Sequence, residues 1–192
     1  MRPALILASA SPQRRRLLKK LRRPFRIVAS RVSEASRETR PRRLVVELAR
    51  RKAESVARRF PKALVLGADT IVVCGGEIIV KPKSVADSRR ILRLLNGRRQ
   101  TVYTGVAAAF DGGRRMLTDA VATRVWARKL DEAALDALAG KHMDKAGAYA
   151  VQDRKDPLIY RIEGDRDNVI GLPVGAVRRL LSRAREELRR KA

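Results

Sequence analysis

Two acids, two lysines and one hydroxyl-rich loop are the side chains whose type and setting suggest chemistry. Asp69 directly follows the apolar run Ala63 to Ala68, and a carboxylate at the carboxyl end of a strand in an α/β sheet projects into the crevice where ligands bind. Glu34 sits in a polar stretch after a second strand-like segment, from which it could meet Asp69 and share a divalent ion. Lys52 lies at the apolar boundary of a helical pattern, and Lys81 ends a strand before Pro82. Either can neutralise phosphate oxygens or merely snorkel to solvent. The loop Ser9-Ala10-Ser11-Pro12-Gln13-Arg14 joins a strand to a helix start, where free backbone N–H groups and the helix dipole favour an anion. Each residue also has a plainer reading: a turn aspartate, a solvated glutamate, a capping serine.

The elements that must position these groups follow from periodicity. Ala4 to Ala8 reads as a strand, and Pro12 opens a helix carrying Leu17, Leu18 and Leu21. Phe25 to Ser30 alternates like a second strand, and a polar loop leads from it to Pro41. From Arg42 to Arg59 the apolar positions recur at helical spacing, the clearest amphipathic helix of the chain. A strand over Ala63 to Ala68 ends at Asp69, and Thr70 to Cys74 pairs with Glu77 to Val80 across Gly75-Gly76. Ser84 caps a helix that runs to Leu95 and stops at Asn96-Gly97. Thr101 to Phe110 and Met116 to Trp126 are long strands around Asp111-Gly112-Gly113, followed by a helix at Leu130 to Leu138. Tyr149 to Gln152 and Leu158 to Ile162 read as strands, and Pro173 opens a last basic helix. Early strand–helix alternation with a hairpin in the middle implies a layered α/β domain with a mixed sheet, spanning residues 1–192.

Composition excludes several classes. With 45% apolar and 34% charged residues the chain is neither disordered nor fibrous, and no apolar run reaches membrane-spanning length. Cys74 and His142 stand alone in kind, so no intrachain disulfide and no Cys/His zinc cage can form. A reducing cytoplasm is the expected setting, and any metal must be a hard ion such as Mg²⁺ or Mn²⁺ held by carboxylates and substrate oxygens. The 45 basic side chains, 34 of them Arg, set a formal charge of +25 that favours polyanionic partners. Aromatics make up only 4%, which leaves few platforms for stacking bases. A generally basic surface is therefore favoured over a dedicated nucleic-acid face, and nucleic acid is not required.

The ordered set LILASASPQRRRLL, Glu34 in SRVSE, RRKA around Lys52, LGADTIV around Asp69, VKP around Lys81, NGR at Asn96 to Arg98, YTGVA, MDKAGAYAVQ and NVIGLP resembles the Maf family of nucleoside triphosphate pyrophosphatases. The resemblance covers nearly the whole chain. It implies a hydrolase that splits a triphosphate between its α and β phosphates with a divalent cation, on the mixed, twisted-sheet fold of the inosine triphosphate pyrophosphatases. By position, Asp69 resembles the family's general base and Glu34 its acidic metal partner, with Ser9, Ser11, Arg14, Lys52 and Lys81 around the triphosphate. Thr70 and Gln152 resemble the branch acting on dTTP and UTP, where they help read the pyrimidine. Gln13 departs from that branch, which normally has Arg there, and a neutral amide replaces a charged fork. A 7-methyl-GTP or broad-specificity pyrophosphatase, or a basic nucleic-acid-binding module without turnover, are the alternatives. Relatives tend to form homodimers, which a charge of +25 opposes.

Overall fold

The computed structural model describes residues 3–153 and 155–190. Its strands are β1 (Leu5–Leu7), β2 (Arg26–Ile27), β3 (Leu64–Cys74), β4 (Glu77–Ile79), β5 (Arg99–Phe110), β6 (Arg115–Ala127) and β7 (Ile159–Glu163). The helices are α1 (Pro12–Lys19), α2 (Pro41–Ala57), α3 (Val85–Leu95), α4 (Glu132–Leu138), α5 (Arg166–Ile170) and α6 (Val174–Arg189). The strands form one mixed sheet in the order β2-β1-β3-β5-β6-β7, with β4 attached to β3. β1 runs parallel to β2 and β3, whereas β4 is antiparallel to β3 and β7 to β6. The fold is thus the expected α/β class with helices flanking a mixed sheet. Among the described residues no helix is long and apolar enough to cross a membrane.

The chain divides into two compact units, Met1–Asp69 with Thr104–Val121 and Gly171–Ala192, and Thr70–Tyr103 with Ala122–Ile170. In the first unit, Ser11 caps α1 by accepting the Arg14 N–H, Pro12 occupies the first turn, and Arg16 and Lys19 lie in the last turn, where they oppose the helix dipole. Helix α2 buries Leu44, Val45, Leu48, Ala49, Lys52, Ala53, Val56 and Ala57, a stripe at helical spacing. The core under it is rich in alanine, with Ala8, Ala49, Ala53, Ala57, Ala107 and Ala109 beside Ile6, Val56 and Val65. Small side chains let helix and sheet backbones approach. Two glycines complete that approach: a Cβ on Gly67 would lie 2.3 Å from the Ala49 carbonyl oxygen and 2.7 Å from the Ala53 nitrogen. One on Gly105 would lie 2.3 Å from the Val45 carbonyl oxygen. Gly67→Ala is accordingly expected to force α2 off the sheet, destabilising the protein by about 2 kcal/mol or more and lowering Tm by at least about 5 °C. Thermal unfolding followed by circular dichroism checks this, and an unchanged Tm would refute the close-approach argument.

In the second unit, Gly75 and Gly76 both adopt positive φ, +57° and +83°, which suits the tight turn joining β3 to β4. Ser84 caps α3 by accepting the Asp87 N–H at 3.1 Å, and Gly97 at φ +68° follows its end. Ile91, Leu92 and Leu95 of α3 share an apolar cluster with Leu135 and Leu138 of α4. Buried Asn168 of α5 donates through Nδ2 to the Val102 carbonyl at 3.0 Å and to Thr123 Oγ1 at 2.9 Å.

Four elements differ from the sequence expectation. β3 does not end at Asp69 but continues to Cys74, because its far half pairs with β4. β2 is only two residues long, both exposed, since it pairs solely with the three-residue β1. Tyr149 to Gln152 is not a strand: the Ala150 N–H is taken by Asp156 Oδ2 at 2.7 Å and the Ala150 carbonyl by the Asp153 N–H at 2.9 Å. Side chain and turn thereby satisfy groups that a ladder would have used. Helix α5, of five residues, is too short to show a period.

Candidate active site

Asp69 owes its position to a mismatch in strand length. In the parallel pair, Leu5, Ile6 and Leu7 lie opposite Leu64, Val65 and Leu66, and β1 then ends while β3 runs on. The register brings Ser9 level with the Ala68–Asp69 step, at the carboxyl edge of the parallel part of the sheet. Both are buried, Ser9 at 7% exposure and Asp69 at 6%.

Lys52 reaches the same place from α2. It lies on the helix's buried stripe and is 8% exposed, and an ammonium so far from water needs acidic partners to stay charged. It has two. Its Nζ donates to Asp69 Oδ1 at 2.5 Å and to Glu34 Oε1 at 2.5 Å. The Gly67 approach described above sets this contact, since Ala49 and Ala53 flank Lys52 on the helix and Gly67 precedes Asp69 by two residues on the strand. Glu34 comes from the irregular loop after β2, with its side chain 55% exposed, so one end of the triad faces solvent and the other is enclosed.

The start of α1 forms the third wall. Ser9 Oγ accepts the Ser11 N–H at 3.2 Å and Arg14 Nη1 at 3.4 Å, and Ser11 Oγ donates to Gln13 Oε1 at 3.0 Å. Arg14 also donates through Nε to the Gly171 carbonyl at 2.9 Å, which holds its guanidinium across the helix start. Burial lowers the pKa of Arg14, while the charges of Asp69 and Glu34 pull it back up. The two carboxylates and Arg14 of α1 therefore share one electrostatic environment.

Ser9, Ser11, Gln13, Arg14, Glu34, Lys52 and Asp69 are thus gathered within the first unit. Thr70, partly buried, follows Asp69 on β3, where strand alternation sends neighbouring side chains to opposite faces. Lys81, exposed beyond the end of β4, and Gln152, exposed in the turn after Tyr149, belong to the second unit. Sequence reasoning missed the Gly171 carbonyl as the anchor of Arg14, although the NVIGLP segment that contains it carried a signal. It also did not foresee that Lys52 bridges the two acids.

Chemically, the arrangement offers one buried carboxylate with an oxygen to spare. Asp69 Oδ1 is committed to Lys52, and Oδ2 accepts no hydrogen bond among the described residues. A water beside Oδ2 would face a base, with serine hydroxyls, helix N–H groups and two cations close by. No group of three or more His, Cys, Asp or Glu side chains gathers to form an all-protein metal cage among the described residues. Glu34 and Asp69 nevertheless direct one oxygen each toward a common point, now held by the Lys52 ammonium.

Residues 4–184 match the family described as Maf-like protein. A dTTP/UTP pyrophosphatase of Elusimicrobium minutum is 48% identical over 170 residues, covering 88% of this chain and 92% of the relative. The dTTP/UTP pyrophosphatase of Moorella thermoacetica is 47% identical, covering 93% of each chain, and that of Deinococcus radiodurans is 43% identical, covering 93% and 92%. A match of this extent, with the acids and the helix-start hydroxyls converging as they do, establishes that the chain belongs to the Maf family.

Proposed function

We propose that this protein is a nucleoside triphosphate pyrophosphatase that cleaves dTTP and UTP between the α and β phosphates, yielding the monophosphate and pyrophosphate. The observation that carries the reading is buried Asp69, one oxygen held by Lys52 at 2.5 Å and the other open, beside the hydroxyl-lined start of α1. The names of the relatives at 41–48% identity support the choice of substrate.

In the proposed reaction Asp69 accepts a proton from water as the water oxygen bonds to the α-phosphorus, and the bridging oxygen leaves with the pyrophosphate. Lys52, 2.5 Å from Oδ1, holds the Asp69 carboxylate in place. Arg14, Ser9 and Ser11 take phosphate oxygens, with the α1 N-terminus favouring the charge that builds there. For Lys81 as a further phosphate cation, and for Thr70 and Gln152 as readers of the pyrimidine, the support is the family resemblance of the segments that carry them. Gln13 accepts the Ser11 hydroxyl proton at 3.0 Å, which an arginine at that position cannot do. The net charge of +25 raises the local concentration of a polyanionic substrate.

Since the point shared by Glu34 Oε1 and Asp69 Oδ1 is held by the Lys52 ammonium, a hard divalent cation, Mg²⁺ or Mn²⁺, would take the remaining carboxylate oxygens. Such ions need only one or two protein carboxylates and fill the rest of their shell with water and phosphate oxygen. The ion, when bound, neutralises triphosphate charge that would otherwise repel the two acids. A cytoplasmic setting, which supplies both Mg²⁺ and nucleotides, belongs to the same proposal.

Pyrophosphate release over a panel of common and modified triphosphates tests all of this together. Expected are the highest kcat/KM for dTTP and UTP, loss of turnover in EDTA with recovery in Mg²⁺ or Mn²⁺, and a sharper base preference in Gln13→Arg. Faster hydrolysis of 7-methyl-GTP would overturn the base preference, and full activity in EDTA would overturn the metal's role.

A further inference from the structure

At the other end of the same parallel strands lies a second feature that the hydrolase chemistry does not use. An open groove of about 690 Å³ is lined by Ile6, Arg26, Arg59, Phe60, Lys62 and Leu188 among others, with no carboxylate in its lining. It sits at the amino ends of β2 and β3, whereas Asp69 lies six residues of strand further on from Ala63, about 20 Å away. The guanidiniums of Arg26 and Arg59 stand 5.8 and 5.6 Å from the Phe60 ring centroid. Arg26, Arg59 and Lys62 are exposed and make no ion pair with any described residue. Elsewhere on the surface some exposed arginines spend their charge on a neighbouring acid, as Arg40 does on Glu38 and Arg93 on Glu132.

We infer that this groove binds single-stranded nucleic acid, with Phe60 and the guanidinium planes on it as the stacking platform and Lys62 with the arginine charges on the phosphates. Three features favour this ligand. An aromatic ring with cations beside it that no acid pairs is the combination by which backbone charge and base faces are held without reading sequence. The groove adjoins a second depression of about 360 Å³, lined also by Phe110, Asp111 and Arg115, with which it shares Pro61, Lys62, Ala63 and Leu188, so the concave surface continues past Lys62. A formal charge of +25 adds the long-range attraction that brings a polyanion to it. The low aromatic content argued against a nucleic-acid face, but one of only three phenylalanines is placed where a single platform suffices.

The test is fluorescence anisotropy with a labelled oligothymidylate of about 15 nucleotides, titrated at several salt concentrations. The pair Arg26→Gln with Arg59→Gln is expected to weaken binding at least about tenfold and to flatten the log–log salt slope by about one unit or more, with dTTP hydrolysis unchanged. Phe60→Leu, which keeps the apolar contact with the alanine-rich core, is expected to weaken binding about tenfold and leave the salt slope as it was. A charge-matched control replaces Arg178 and Arg183, exposed on α6 and free of ion pairs with any described residue, by Gln. The inference is overturned if the wild type does not bind the oligonucleotide, if the control loses as much affinity as the groove pair, or if folded Phe60→Leu binds normally. Equal displacement by poly-glutamate would also overturn it, pointing to an acidic protein partner instead.

Discussion

Asp69→Asn is expected to lower kcat for pyrophosphate release by about 10²–10⁴-fold while KM for the triphosphate changes little. The amide has the shape of the carboxylate, and its oxygen still accepts from Lys52, so the walls of the site persist. What disappears is the basic oxygen that takes the proton from water. Lys52 retains Glu34 at 2.5 Å, which limits the loss of stability. Steady-state kinetics beside circular dichroism and thermal unfolding separate the two effects. If the folded variant keeps turnover within tenfold of the wild type, Asp69 is not the base.

Lys52→Met has the opposite emphasis. Methionine matches the aliphatic stem but removes the cation from between two acids, leaving Asp69 buried at 6% exposure with its charge uncompensated. Breaking a buried pair from one side costs about 3–5 kcal/mol, so a marked fall in Tm is expected together with loss of activity. Glu34→Gln provides the contrast. Its side chain is 55% exposed, and such a pair contributes under about 1 kcal/mol, so Tm should barely move. Activity should still fall in Glu34→Gln if the proposed function holds, since that proposal makes this carboxylate a solvent-facing donor for the divalent cation. Lys52→Arg is not expected to rescue, since a planar fork does not fit a slot with oxygens 2.5 Å from one nitrogen on two sides. Equal stability losses in Lys52→Met and Glu34→Gln would contradict the burial asymmetry.

The class of fold, and the elements that carry the proposed site residues, were legible in the chain itself, for local reasons. Continuous apolar runs marked β1 and β3, the 3.6-residue period marked α2, and Ser84 with Asn96-Gly97 bounded α3 within a residue, because capping and periodicity act over a few residues. The segment Ser9 to Arg14 announced itself as a strand-to-helix joint with spare donors, and it is one. Elements whose form depends on distant partners were misread. β3 passes through Asp69 only because β4 pairs with its far end, and Tyr149 to Gln152 is held irregular by the Asp156 carboxylate and a turn.

What the order of residues determined is therefore the inventory: Asp69 on a strand, Glu34 in a loop, Lys52 on a helix and the hydroxyl-rich joint between β1 and α1. Tertiary structure alone decided that Lys52 stands between Glu34 and Asp69, and that Arg14 is pinned by the Gly171 carbonyl, 157 positions away in sequence. It also decided that Phe60 meets two arginines. The reason is one of range. Capping, turns and periodicity are short-range and leave a trace in neighbouring residues, whereas the depth to which α2 settles on β3 depends on the absent side chain of Gly67 meeting the Ala49 and Ala53 backbone. That steric fact exists only once the helix and the strand have been brought together.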